Sequence, residues 1–129
     1  MQSVTSNAVY RMFQLSTVNL ADVSVSGQAG GNSTSNVIPK GKYLCMCTAS
    51  SGSSKTTNFA FQLTTENAVV GSEGTVKPYQ GGSLGNGAGQ NIIYFESNGT
   101  TTKVKATIFN YGGGSAITYS FTCYLLKLA

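Results

Sequence analysis

The strongest constraint on what this chain can fold into is carried by short stretches that are apolar on both faces at once. Tyr43-Leu44-Cys45-Met46-Cys47 and Ile92-Ile93-Tyr94-Phe95 show no alternation of apolar with polar residues. Successive side chains of a β-strand point to opposite sides, so a strand of this kind needs cover on both. The final segment, Ile117 to Leu128, sets Ile117, Tyr119, Phe121, Cys123 and Leu125 on one face and adds Tyr124, Leu126 and Leu128 on the other. Phe59, Phe61 and Leu63 alternate with Asn58, Ala60 and Gln62, while Val104, Ala106 and Ile108 alternate with Lys103, Lys105 and Thr107. These two read as half-buried strands. Leu20, Val23 and Val25 add a further apolar stretch, and no interior segment carries helical spacing.

Turn residues punctuate the strands. Gly27–Asn36 reads as a loop, Pro39 and Gly41 as a turn, and Ser50–Ser54 as a flexible turn. Val69, Val70, Thr75 and Val76 flank a Gly-Ser-Glu-Gly turn and predict a hairpin. Tyr79–Asn91 is the longest predicted loop, Asn98-Gly99 predicts a second hairpin, and Asn110–Ser115 turns the chain again. The expectation is an all-β domain of about seven or eight antiparallel strands, as a jelly-roll-like β-sandwich; spacing alone leaves sandwich and jelly-roll topologies both open.

The N-terminus is different. Ser6 is placed to cap a short helix, and Ala8, Val9, Met12 and Phe13 fall on one side of it. A helix of about two turns is unstable alone in water, so its apolar stripe must dock, either on copies of itself or on its own sheets. Residues 1–16 are therefore expected to form a neck helix and residues 17–129 a head. The segment lacks the charged and apolar regions of a signal peptide. The apolar runs elsewhere are too short to span a bilayer, so no membrane insertion is expected.

Composition narrows the chemistry. Charged residues make up 9% of the chain, against roughly 25% in ordinary domains, so the surface is polar yet nearly uncharged and suits a chain partly covered by identical partners. The formal charge of +4 comes from scattered Lys and Arg, whereas nucleic-acid binding calls for clustered ones; no nucleic-acid partner is expected. Cys45 and Cys47 lie on one face of one strand and cannot bridge each other. With no His and no Cys-x-x-Cys, no zinc site is expected, nor any cofactor. The cysteines, Cys123 included, read as small buried hydrophobes, consistent with folding in a reducing cytoplasm.

Catalysis is not expected. There is no imidazole base and hence no Ser-His-Asp triad. Of the acids Asp22, Glu66, Glu73 and Glu96, only Glu66 and Glu73 sit where a carboxylate pair of glycosidase type could arise, which keeps polysaccharide depolymerase as the least favoured alternative. Binding fits better, because recognition concentrates in loops on a rigid framework. Tyr79 and Tyr111 offer flat faces for sugar rings, and Asn86, Asn91 and Asn110 offer paired donors and acceptors; turn packing is the competing role for both tyrosines. Lys103 and Lys105 suit either a solvated strand face or the attraction of acidic glycans.

Two resemblances extend this reading. Pro39-Lys40-Gly41-Lys42-Tyr43 and the closing Phe121-Thr122-Cys123-Tyr124-Leu125-Leu126 resemble paired strands of the trimeric jelly-roll family of tumour necrosis factor and the globular complement heads. That likeness implies a homotrimer whose axis is lined by the last strand, with Tyr124, Leu126 and Leu128 at the interface. Val4-Thr5-Ser6-Asn7-Ala8-Val9-Tyr10 is similar to the junction that precedes the C-terminal head domain in bacteriophage tail-fibre and other virion-fibre proteins. Ser3 stands where that junction has Pro, and no shaft lies upstream, so the chain is either a portion of a longer fibre or a small separate virion protein. The likeness implies a virion location and a neck in which Val9, Met12 and Phe13 pack around the trimer axis. The implied partners are a fibre shaft or another virion protein, and a bacterial surface glycan or protein. The function so implied is host-receptor binding without catalysis, with a structural head fibre, collar fibre or capsid decoration protein as the alternative.

Overall fold

The computed structural model describes residues 15–51, 58–71, 77–80, 88–111 and 116–129. The neck-helix positions Val9, Met12 and Phe13 lie outside these residues, as do Asn86 and Glu73. The described chain is all β, with strands β1 (Leu15–Val18), β2 (Val23–Val25), β3 (Ala29–Thr34), β4 (Gly41–Ser51), β5 (Asn58–Glu66), β6 (Val70–Gly71), β7 (Lys77–Gln80), β8 (Ala88–Ser97), β9 (Lys103–Asn110) and β10 (Ile117–Lys127). Every pairing is antiparallel. The larger sheet has the order β1-β10-β4-β8-β6, with β2 also on β10, and the smaller has the order β3-β9-β5-β7.

The two sheets pack face to face, and alternation along the strands supplies the core. Tyr43, Cys45, Cys47 and Ala49 of β4, Ile93 and Phe95 of β8, and Tyr119, Cys123 and Leu125 of β10 are buried against Phe59, Phe61 and Leu63 of β5 and Val104, Ala106 and Ile108 of β9. Ring contacts cross between the sheets: Phe59 meets Tyr119 at 5.0 Å and Phe61 meets Phe121 at 6.0 Å between centroids. Close approach also decides one backbone position. A Cβ on Gly31 of β3 would stand 2.6 Å from Cγ1 of Val23 on β2, so glycine lets these strands of opposite sheets come together.

Several local expectations give way to tertiary pairing. Leu15 and Ser16, assigned to the neck helix, are strand and pair with Leu126 and Leu125. Ala29–Thr34, read as loop, is β3 and runs along β9, because a paired edge satisfies a glycine-rich backbone as well as any other. The hairpin predicted at Asn98-Gly99 does not form, and Thr75 and Val76 of the other predicted hairpin lie outside the described residues. Val70 and Gly71 pair with β8 in the larger sheet, whereas β7 pairs with β5 in the smaller. Asn98-Gly99 opens a passage from β8 in one sheet to β9 in the other. There Gly99 has φ +78°, and Asn98 Oδ1 accepts from the amides of Thr100, Thr101 and Thr102 at 2.8, 2.8 and 3.2 Å. The side chain thus replaces the ladder bonds a two-residue hairpin would have made. The predicted loop at 79–91 shortens, since Tyr79 and Gln80 belong to β7 and Ala88–Asn91 to β8.

The cysteine expectation is corrected as well. Cys47 and Cys123 form a disulfide across β4 and β10, with a sequence separation of 76. They are directly opposed in the ladder, with Cα atoms 4.1 Å apart, close enough for their sulfurs to bond. Cys45 remains a buried free thiol, and burial pushes its pKa up to about 12.

Two outcomes follow. Gly31→Ala will destabilise the domain by about 1–3 kcal/mol through overpacking, and Val23→Ala in the same chain will recover part of that loss in denaturant titrations. Thiol titration without reductant will find no reactive cysteine in the native chain and a single one, Cys45, in denaturant; three would show that the pair is reduced.

Candidate functional site

The outward faces of the two sheets differ in chemistry, and the register fixes which side chains each presents. On the larger sheet, Leu15 pairs with Leu126, Leu126 with Leu44, and Leu44 with Tyr94. One step along, Thr17 pairs with Tyr124, Tyr124 with Met46, and Met46 with Ile92. These two rows run across four strands and set seven apolar or aromatic side chains side by side. Leu15, Tyr124 and Ile92 are exposed, Ile92 at 57%, and Leu44, Met46, Tyr94 and Leu126 are half-buried. Leu128 continues the face beyond β10, its amide donating to Lys42 O at 2.7 Å. Farther along, the face turns polar: Thr122 pairs with Thr48 and Ser120 with Ser50.

The smaller sheet presents a different surface. Lys103, Lys105, Thr107 and Phe109 point outward from β9, with Tyr111 next beyond the strand. Phe109 and Tyr111 are 39% and 51% exposed, and their rings touch at 4.9 Å. Phe109 is flanked across the sheet by Gly30 and Ala60, which carry little or no side chain to cover it. At the other end of the row Lys105 Nζ lies 3.9 Å from Glu66 Oε1, an exposed pair worth about 0–1 kcal/mol, and Lys103 is opposite Glu66 in register.

The predicted ligand residues are distributed unevenly by this architecture. Tyr111 is exposed at the end of β9. Tyr79 lies in β7, paired with Phe59, whose other partner is Asn110, so these positions share one end of the smaller sheet. Asn91 and Asn110 do not reach the exterior. Asn91 is buried and donates from Nδ2 to Phe61 O at 3.4 Å, linking the sheets. Asn110, fully buried, donates from Nδ2 to Gly27 O at 3.0 Å. Both amides hold the framework, and loop-like composition around them hid that role.

Sequence reasoning passed over Phe109, although carrying the Lys103–Thr107 alternation two residues further exposes it as an aromatic on the polar face. It also left Leu44, Met46 and Ile92 unassigned to a surface, because only the ladder shows that they stand in line with Tyr124 and Leu126. Among the described residues no cluster of three metal-ligating side chains occurs. Comparison of the chain with protein-family models, with curated proteins and with solved structures finds no match.

Proposed function

We propose that this chain is the head domain of a bacteriophage fibre: a jelly roll, trimeric about the outer face of its larger sheet, that binds a bacterial surface structure without catalysis. The observation that carries the reading is the apolar face running from Leu15 through Tyr124, Leu126, Leu44 and Met46 to Ile92. Contiguous apolar surface of this kind marks an interaction site, and copies of the same chain are the natural cover for a protein with 9% charged residues. The sheet orders β1-β10-β4-β8 and β3-β9-β5-β7 support the jelly-roll topology.

The position of the first residue of β1 supports the fibre. Leu15 begins β1 beside Leu126, at the same end as the C-terminus, where Ala129 O accepts from Lys42 N. In the sequence the virion-fibre-like Val4–Tyr10 motif precedes β1, whose first residue stands at that end. The last residues of β4 and β9, the first residues of β5 and β10, and Tyr111 lie at the opposite end. A fibre attached through the first end offers the second to a cell.

The assembly is tested by analytical ultracentrifugation at micromolar concentration, where a trimer is expected. Leu126→Asp will place an unpaired charge in the interface at a cost of several kcal/mol per subunit and dissociate it. Ile92→Ser will lower the melting temperature only if the face is covered, since in a solvated face such a change costs less than about 0.5 kcal/mol. A wild-type monomer overturns the trimer.

The receptor-binding role has its own measurement. Labelled protein will adsorb to host cells and compete with infection, and virions lacking it will remain intact but lose adsorption. Full infectivity of such virions would instead favour a decorating role.

A further inference from the structure

We infer that the outward row of β9 is a binding site for an acidic polysaccharide, with sugar rings stacked on Phe109 and Tyr111 and carboxylates held by Lys103 and Lys105. This deepens, and rests on, the receptor-binding reading.

The row is built by alternation. Tyr111, Phe109, Thr107, Lys105 and Lys103 follow every second residue on one face, so neighbours are about 7 Å apart and Phe109 is about 13 Å from Lys105. A sugar chain can lie along such a line. The aromatic end has the form a pyranose needs: two touching, exposed rings, with Gly30 and Ala60 on either side of Phe109. Gly30 is not there by default of space alone, since a Cβ would stand 3.3 Å from Phe109 Cδ2 and would crowd the ring. Beyond the rings, Thr107 and its exposed neighbour Asn32 offer hydrogen bonds to hydroxyls.

Charge selects the ligand class. Two lysines face one carboxylate, Glu66, 3.9 Å from Lys105, which leaves this end of the row at +1. A sugar polymer with sparse carboxylates complements that balance. A nucleic acid, with a phosphate on every nucleotide, would meet Glu66 as a repelling charge and too few cations along the row. The outer face of the larger sheet gathers seven apolar or aromatic side chains, with Lys42 opposite Glu96 at its edge, so it suits a different partner from the β9 row.

The test uses the whole chain and a short oligosaccharide in which one uronic acid alternates with neutral sugars, set against the same oligomer with its carboxylates reduced to alcohols. Amide shifts should map to β9, and calorimetry should give the acidic oligomer an advantage of about tenfold at low salt. That advantage should vanish at high salt and in the Lys103→Gln, Lys105→Gln double variant. Phe109→Ala and Tyr111→Ala should each weaken both oligomers about tenfold while the amide spectrum shows the fold retained, and Tyr111→Phe should keep binding. Equal affinity for the two oligomers, no binding of either, tighter binding of a single-stranded oligonucleotide, or full binding by the Phe109→Ala, Tyr111→Ala double variant would overturn the site. Host-cell adsorption that survives that double variant would overturn it while leaving the receptor-binding role in place; no adsorption by the wild type would overturn the role itself.

Discussion

The ladder between β10 and β4 is the constraint on which the rest of the structure depends. It runs from Tyr119 opposite Ser51 to Lys127 opposite Tyr43, with the Cys47–Cys123 disulfide within it. Because side chains alternate with a period of two residues, a slip of one would exchange every inward residue for an outward one. Here both sets matter. The inward set, Tyr43, Cys45, Cys47, Tyr119, Cys123 and Leu125, fills the core. The outward set, Leu44, Met46, Tyr124 and Leu126, makes the apolar face. A slipped register would bury Lys42 and Thr122 while exposing Tyr119, so burial enforces the register even though both sides are apolar. The disulfide joins two strands at a separation of 76 residues and in the chain-entropy model reduces the freedom of the unfolded chain by closing a long loop.

Polar groups then tie the loops at the N-terminal end to this framework. Ser97 Oγ donates to Ile38 O at 2.6 Å and accepts from Gly99 N at 3.0 Å, so one buried hydroxyl joins the β8–β9 passage to the segment before β4. Thr102 Oγ1 donates to Asn67 O at 2.7 Å, joining the same passage to the β5–β6 connection. Tyr43 Oη donates to Pro39 O at 2.7 Å, and its burial raises the phenol's pKa. Buried polar groups left without partners cost about 1–3 kcal/mol each, so these contacts favour one arrangement of the crossing loops over its competitors.

How much of this was legible depended on the range of the signal. The long strands were readable, β5 and β9 from alternation and β4, β8 and the end of β10 from apolar character on both faces, because both patterns are local properties of the sequence. β3 was not, because Ala29-Gly30-Gly31-Asn32 has turn composition and becomes a strand only beside β9. The Asn98-Gly99 signal correctly marked a turn, but which sheet receives the next strand is decided by distant partners. The same limit hid the disulfide: Cys45 and Cys47 were rightly kept apart, yet nothing local shows that Cys123 arrives opposite Cys47. Of the predicted ligand residues, Tyr111 is exposed beside its loop, whereas Asn91 and Asn110 are turned inward to carbonyls distant in sequence, Phe61 O and Gly27 O.

The contrast between the two outer faces bears on how such a head can work. Leu15, Tyr124 and Ile92 lie open on one sheet, while the opposite sheet sets Phe109 and Tyr111 beside threonines and lysines. If the first face is covered by copies, as proposed, the second becomes the flank of the assembly, and the copies repeat it around the axis. A single shallow site with two rings and two lysines binds weakly, since small ligands make few contacts. Repetition compensates: sites linked in one rigid body reach the same polymer at high effective concentration, raising avidity by about 10²–10⁴. Weak single sites also release quickly, so a particle can sample a surface before it settles. On that proposal, apolar cover on one sheet and a polar surface with two lysines on the other are two parts of one design, in which the face that assembles the head multiplies the face that recognises.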